Sequence, residues 1–531
     1  MHPPRSGRPS HASRRLFPAV AALAVLALVA IACTHDTTTT TTPVNPTKQP
    51  WQEDPAKFTE GYINKTFTLD PNRTDASRPT APPISAHLPA NVPIKHVIFV
   101  IKENRTYDHF FGQYPAGDGV TEGRTLDGTV VPLGPAPDVT DALIVHGFWS
   151  GLYSIDGGRM DGFDTIDGGE MLEGYTQFDR RTLPHYFDYA DRFVLTDRFF
   201  TSEYGPTFPE HLYTVAAQSD GIMDNKSEIT ESPGRYCDDP NGYSPAFPQD
   251  LPQDRLDTIM AEQNRIVDDH PDAMNDIRSS LYTIRACLEI PTLPERLSEA
   301  GVSWKFYSDP VFPIGDIMRA IKNVRYTPLW NNVVASDSFL DDITKGNLAQ
   351  VSWVNPPAPY NEHPILPNRI QSVCAGENWT VQMMNELQNS PYWKSTAVIE
   401  VWDDFGGYYD HVPPPQYDIM GLGARTPGLI MSPYTIHGDN RLGGAVDHHT
   451  YEFSSVLAFI EQLFSIDPLT TRDAQADPLT GAFDFSRPPD MHKLILPLRQ
   501  DCPYGTAPPF LHQDNLLPPT TTPTTTPSTT S

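Results

Sequence analysis

The sequence predicts a three-layer α/β/α fold built on a mainly parallel sheet. Three observations predict it. Six short apolar runs, at 96–101, 193–195, 304–307, 349–354, 397–401 and 428–431, have the length and composition of strands buried on both faces. Helical patterns stand between them. The clearest is "FSSVLAFIEQLFSI", where Val456, Phe459, Ile460, Leu463 and Phe464 recur at helical spacing and share one apolar face. Finally, strands and helices alternate along the chain, which implies parallel strands with helices on both sides of the sheet.

From the amino terminus, "SRRLFPAVAALAVLALVAIAC" has the basic region, apolar run and small residues of an export signal over 1–33. The apolar run is short for a membrane span. "SRRLF" at 13–17 resembles the twin-arginine export motif, and "AIAC" at 30–33 resembles a bacterial lipobox. Cys33 then becomes a lipidated first residue that tethers the chain to a membrane. The other reading is a plain cleaved signal with Cys33 incidental. Residues 34–93 are expected to be a Thr/Pro-rich linker and an extended arm. The globular, catalytic region is expected at 94–502, including a helix in "WTVQMMNELQNSPYW" that stops before Pro391. Residues 503–531 read as a Pro/Thr-rich disordered tail.

Composition narrows the function. The chain has 531 residues, 55 of them proline, and a formal charge of −28. Residues 1–33 hold four of the 38 basic residues (Arg5, Arg8, Arg14 and Arg15) and no acid, so 34 remain against 66 acidic ones beyond Cys33. That balance argues against a nucleic-acid partner. An anionic substrate would need a locally positive site, most simply a metal ion. Five cysteines are odd for an exported chain; setting Cys33 aside leaves Cys237, Cys287, Cys374 and Cys502. Four allow three pairings. Cys237–Cys287 with Cys374–Cys502 closes the shorter loops and is the pairing expected.

In a parallel sheet, ligands bind beyond the carboxyl ends of the strands. Two of the predicted strands end in oxygen-bearing side chains: Glu103 and Asn104 after 96–101, Asp403 and Asp404 after 397–401. Three carboxylates brought to one sheet edge repel one another unless a cation lies between them. Oxygen donors suit one divalent ion, Ca²⁺, Mg²⁺ or Mn²⁺. The competing explanation is that each acid caps a helix or faces water. "GPTFPEHLY" at 205–213 has the same duality. Thr207 and Glu210 fit a T-x-x-E capping box at a helix start. A hydroxyl in that position also sits where a phosphate binds well, and a nearby dication would make it a nucleophile. Histidines follow these stretches. His109, His146, His211, His363, His411, His448 and His449 can each donate to phosphate or protonate a leaving alkoxide, and the pattern leaves their roles, and that of Asp108, open.

The residues now carry a resemblance. "IKHVIFVIKENRTYDHFFG" at 94–112 resembles the E-N-R-S/T-F/Y-D-H-x-F/L-G opening of the bacterial phosphoesterase family, which holds phospholipases C and metal-dependent acid phosphatases. "GGRMDGF", "GPTFPEHLY", "NEHP", "SPYWKSTAVIEVWDDFGGYYDHVPPP", "GARTPGLIMSPY" and "DHHTYEFSSVLAFIE" resemble its later blocks, in order, over roughly 94–470. The resemblance implies an alkaline-phosphatase-like fold and a phosphoric ester hydrolase. It implies that Glu103, Asn104, Asp403 and Asp404 hold the metal, that Thr207 attacks phosphorus to form a phospho-enzyme, and that His146, His363 and His448 contact phosphate or leaving group. The substrate would be a phospholipid head-group diester or a phosphomonoester. Three positions depart from the pattern: Glu210 replaces Asn, Phe453 replaces His, and Asp404 stands where Glu is frequent; Thr in place of Ser as nucleophile occurs in the superfamily that the resemblance implies. Longer phospholipases of the family add carboxy-terminal β domains, for which no room is expected here. The competing class is a non-catalytic surface lipoprotein that binds phosphorylated ligands; five intact site residues speak against it.

Overall fold

The computed structural model describes residues 68–74, 76–80, 86–140, 143–226, 235–309, 313–364 and 371–502. The expected export signal, Cys33, the linker at 34–50 and the tail at 503–531 lie outside the described residues. No described helix is long and apolar enough to cross a membrane.

Eight strands form the central sheet: β1 (His96–Lys102), β2 (Val194–Thr196), β3 (Trp304–Ser308), β4 (Val333–Ala335), β5 (Val351–Val354), β6 (Thr396–Trp402), β7 (Gly428–Met431) and β8 (Ala445–Asp447). Their order is β4-β3-β5-β1-β6-β7-β2-β8. Every pairing is parallel except the two made by β7, which runs antiparallel to β6 and β2. All six expected strands are present. The two that the apolar pattern did not reveal, β4 and β8, are three-residue edge strands that are part-exposed, whereas the equally short β2 is fully buried and apolar at Val194 and Leu195.

The near-continuous apolar run of β1 follows from its central position. Successive side chains point to opposite faces, and both faces are covered. Val97, Phe99 and Ile101 enter one core; Ile98 and Val100 enter the other. The first core is closed by α2 (Phe148–Ile155), α4 (Thr207–Ala216) and α6 (Phe453–Phe464). The second is closed by α1 (Tyr107–Phe111), α3 (Pro184–Arg192) and α5 (Val373–Asn389). This is the expected three-layer α/β/α arrangement.

On α6, Val456, Phe459 and Ile460 are fully buried while Leu463 and Phe464 are half-buried. Burying each of the first three is worth about 1.5–3 kcal/mol. The helix starts where Ser455 Oγ accepts from the Glu452 N–H at 3.2 Å, and it ends at Ser465 in the left-handed region. α5 begins six residues before the expected Trp379, because Ser372 Oγ takes the Ala375 N–H at 3.1 Å and so caps it. It stops at Asn389, ahead of Pro391. Disulfides join Cys237 to Cys287 and Cys374 to Cys502.

Candidate active site

The site begins with the pairing of β1 and β6, in which Lys102 lies opposite Trp402. The Asp403 N–H donates to the Lys102 carbonyl at 2.8 Å, so Glu103 and Asp403 leave the two strands side by side. Asn104 follows with φ +61°, a left-handed conformation that Asn tolerates better than most residues. That turn aims its backbone N–H at Asp403 Oδ1 (2.8 Å) and its side-chain amide at Asp404 Oδ1 (2.6 Å). The partner loop must come close. A Cβ on Gly406 would lie 2.7 Å from the Asn104 Cβ and carbonyl oxygen.

Thr207 reaches the same place from β2 through the 197–206 loop. The capping box expected from Thr207 and Glu210 does not form. Pro206 is the N-cap and Thr207 is already the first helical residue of α4. Glu210 instead turns back to the loop and accepts the Ser202 and Glu203 N–H groups at 2.9 and 3.0 Å. The Thr207 hydroxyl is thereby left free of capping and donates to Asp404 Oδ2 at 3.4 Å, a long bond. One turn further along α4, on the same face, His211 faces the acids. Its Nε2 lies 3.7 Å from both Glu103 Oε1 and Asp403 Oδ2.

This cluster is buried and electrically incomplete. Glu103, Asn104, Thr207, His211, Asp403 and Asp404 are each at most 3% exposed. Among the described residues no Lys or Arg pairs with Glu103, Asp403 or Asp404. Glu103 Oε2, Asn104 Oδ1, Asp403 Oδ2 and both ring nitrogens of His211 make no hydrogen bond. Buried polar atoms are almost always satisfied, and each orphan costs about 1–3 kcal/mol. Two of the three carboxyl groups express the same shortage. Burial, then the Asp403 charge, pushes the Glu103 carboxyl well above its ordinary value. Burial likewise, with Asp403 beside it, raises Asp404 to about 6. Burial would raise Asp403 too, but His211 and hydrogen bonds from its neighbours outweigh it and hold the group at about 2. One donor atom from each of Glu103, Asp403 and His211 lies within 4.8 Å of the others. The set fits a divalent cation: acid oxygens, an amide oxygen and an imidazole, all without partners.

His146 stands at the edge of the cluster. Its Nδ1–H donates to the Ile144 carbonyl at 2.6 Å, which leaves Nε2 as an acceptor toward the site. Nε2 is 3.3 Å from Asn104 Nδ2 and 4.0 Å from Asp404 Oδ2. The His363 ring lies 6.3 Å from that of His146. Its loop is joined to β1 because the Asn361 carbonyl accepts the Glu103 N–H at 2.9 Å. Below that loop, Glu362 takes Lys102 Nζ at 2.6 Å and the Trp402 indole N–H at 2.9 Å, a buried anchor that the sequence reading did not find. His448 is not brought to the cluster by any described bond. Its side chain is 64% exposed, and Nδ1 bonds Asp197 at 2.8 Å.

The residues left open by the sequence divide clearly. His211 joins the site. Its one legible signal was its place four residues after Thr207. His109 is buried, stacks on Tyr408 and donates to the Thr176 carbonyl at 2.7 Å, a packing role. His449 is held by Asp447 at 2.6 Å near the surface. Asp108 and His411 form a separate cluster with Asp410 and Arg425. Phe453 packs on Phe99 and Phe199.

Residues 94–467 match the phosphoesterase family. Phospholipase C B of Mycobacterium tuberculosis is 26% identical over 489 residues, covering 78% of this chain and 81% of that protein. The hemolytic phospholipase C of Pseudomonas aeruginosa is 25% identical over 74% of this chain and 56% of its own length. Non-specific phospholipase C1 of Arabidopsis thaliana is 24% identical over 77% of this chain and 73% of its own. A solved alkaline phosphatase superfamily protein from Vibrio parahaemolyticus shares 10% identity over 80% of this chain and 76% of that one, with a TM-score of 0.31, too low to add to the assignment. With a site of this chemistry inside the matched residues, the chain belongs to the phosphoesterase family and is a phosphoric ester hydrolase.

Proposed function

We propose that this protein is an exported, metal-dependent hydrolase of the phospholipase C type that uses Thr207 as its nucleophile. The carrying observation is the Thr207 hydroxyl, which opens α4 and donates to Asp404 Oδ2 among orphaned acid and amide oxygens. Glu103, Asn104, Asp403 and Asp404 would hold one divalent ion. Bound there, it supplies positive charge that offsets the phosphate oxygens and eases ionisation of the hydroxyl.

The chain's own residues account for the rest. The amino end of α4 offers a positive field to the phosphate. Thr207 Oγ forms the bond to phosphorus and passes its proton to Asp404 Oδ2, the acceptor it already faces. The ester P–O bond breaks, and the departing alkoxide takes a proton from a water molecule on the side of the site lined by His146 and His363. The hydroxide so formed cleaves the phospho-threonine, the phosphate-bearing product leaves, and Asp404 returns its proton to Thr207 Oγ. Such positioning and charge stabilisation are what phosphoryl transfer chiefly requires. His448, whose Nδ1 bonds Asp197, makes no bond to the cluster among the described residues and is given no role in this step.

The phospholipase C relatives favour a phospholipid head-group diester over a phosphomonoester. The basic–apolar–small pattern before Cys33 supports export, with a lipid anchor at Cys33 placing the enzyme at a membrane. Purified enzyme should turn over p-nitrophenylphosphorylcholine faster than p-nitrophenyl phosphate. Faster turnover of the monoester would reassign it as a phosphatase. Full activity after exhaustive chelation would remove the metal from the reading.

A further inference from the structure

We infer that His211 is a nitrogen donor to the metal, so that the site selects a borderline first-row ion (Fe²⁺, Co²⁺ or Zn²⁺) over Ca²⁺ and Mg²⁺. The inference rests on the reading of Glu103 and Asp403 as metal ligands and extends it to a fifth residue and a metal class. Four observations converge. His211 is wholly buried, so its ring cannot be satisfied by bulk water. Neither ring nitrogen has a hydrogen-bond partner. Nε2 is equidistant, at 3.7 Å, from Glu103 Oε1 and Asp403 Oδ2. Both carboxylates also keep an oxygen without a partner.

The distances decide between a buried ion pair and a shared ligand. An imidazolium serving only as counter-ion would close to a charge-assisted hydrogen bond of about 2.7–2.9 Å. At 3.7 Å the nitrogen makes no such bond to either acid. Two donors each about 2.0–2.2 Å from one ion stand roughly 3–4 Å apart, depending on the angle between them. The observed spacing falls in that range, with the ion's place between the three groups.

The position on α4 gives the arrangement a mechanical meaning. Thr207 and His211 are four residues apart and face the same way. A nitrogen donor one turn below the nucleophile fixes the metal to the helix that carries the hydroxyl. The nitrogen also changes the ion. Oxygen-only sites suit hard cations, whereas imidazole binds first-row transition ions and Zn²⁺.

The full chain should be stripped with a chelator and loaded with Mn²⁺, Co²⁺, Mg²⁺ or Ca²⁺ in turn. Bound metal and affinity are then measured by elemental analysis and chelator competition. Wild-type protein should bind Co²⁺ more tightly than Mg²⁺ or Ca²⁺. Pulsed electron paramagnetic resonance of the Mn²⁺ form should show coupling to an imidazole nitrogen. His211→Gln should weaken Co²⁺ binding by roughly tenfold or more, abolish the nitrogen coupling, and change Mg²⁺ affinity far less. Nitrogen coupling absent from the wild-type Mn²⁺ form overturns the inference without relying on any variant to fold. So does a His211→Gln protein with unchanged metal preference. Failure of wild-type protein to bind any divalent ion would instead overturn the underlying metal site.

Discussion

Two clusters with the same ingredients stand beyond the same pair of strands. Glu103, Asp403 and His211 form one; Asp108, Asp410 and His411 form the other. Each offers two carboxylates and an imidazole within 4.8 Å. The second is already complete. Arg425 Nε meets Asp410 Oδ1 at 2.9 Å, and its Nη2 lies 3.4 Å from Asp108 Oδ1. The Arg425 Nη1 donates to the Asp118 and Asp197 carbonyls, each at 2.8 Å. The remaining oxygen of Asp108 accepts the His411 N–H at 2.8 Å and faces its Nδ1 at 2.6 Å. A resident guanidinium supplies the cation there. The first cluster contains no Lys or Arg among the described residues and keeps its orphan atoms. Residue types alone therefore do not distinguish the two clusters; of the two, the first is the one whose buried donor atoms are left unanswered.

Substitutions should separate the two clusters by what they damage. Thr207→Ala should lower kcat by roughly 10⁴-fold or more, by analogy with removal of other nucleophiles, with an unchanged unfolding midpoint. Steady-state kinetics and thermal melting check both halves, and substantial residual activity breaks the assignment. Arg425→Met should do the reverse. It strands Asp108 and Asp410 without their cation and should cost about 3–5 kcal/mol of stability, read by denaturant titration. A neutral result would mean that the second cluster is not held by Arg425.

Glu103→Gln sharpens the contrast further. It removes the buried acid that burial and the Asp403 charge hold well above its ordinary value, so in chelator-treated protein at neutral pH it should leave stability unchanged or raise it by about 1 kcal/mol, while metal binding and activity fall. A loss of stability in the metal-free variant would show that the acid is structural. The smallest effect concerns His411. Burial opposes its protonation, but Asp108 and Asp410 outweigh that and hold its pKa above the ordinary value. A raised folded-state pKa gives stability that is fully present below the unfolded value of about 6.5 and is lost as pH rises through the folded value. The stability gap between wild type and His411→Asn should therefore shrink from about pH 6 upward, by less than about 1 kcal/mol because the ring is part-exposed. A gap that grows with pH would contradict the pairing.

The sequence disclosed the site more fully where it depended on strand ends than where it depended on folding across the chain. Glu103, Asn104, Asp403 and Asp404 were legible because β1 and β6 are apolar runs that stop abruptly at polar residues, and parallel sheets bind ligands there. Thr207 was legible as a position but not as a geometry. Its spacing to Glu210 suggested a local cap, whereas Glu210 is used by the Ser202 and Glu203 backbone. That partner choice depends on how the 197–206 loop packs. The same limit hid the Lys102–Glu362 anchor, whose members are 260 residues apart.

The account turns on Thr207 carrying the phosphoryl group. Metal-loaded enzyme should be mixed with substrate, quenched in acid within the first turnovers, and digested for peptide mapping by mass spectrometry. The predicted result is a phosphate-ester adduct on Thr207 that is absent from Thr207→Ala. An adduct on another residue, or rapid turnover with no covalent adduct at any quench time, would contradict it.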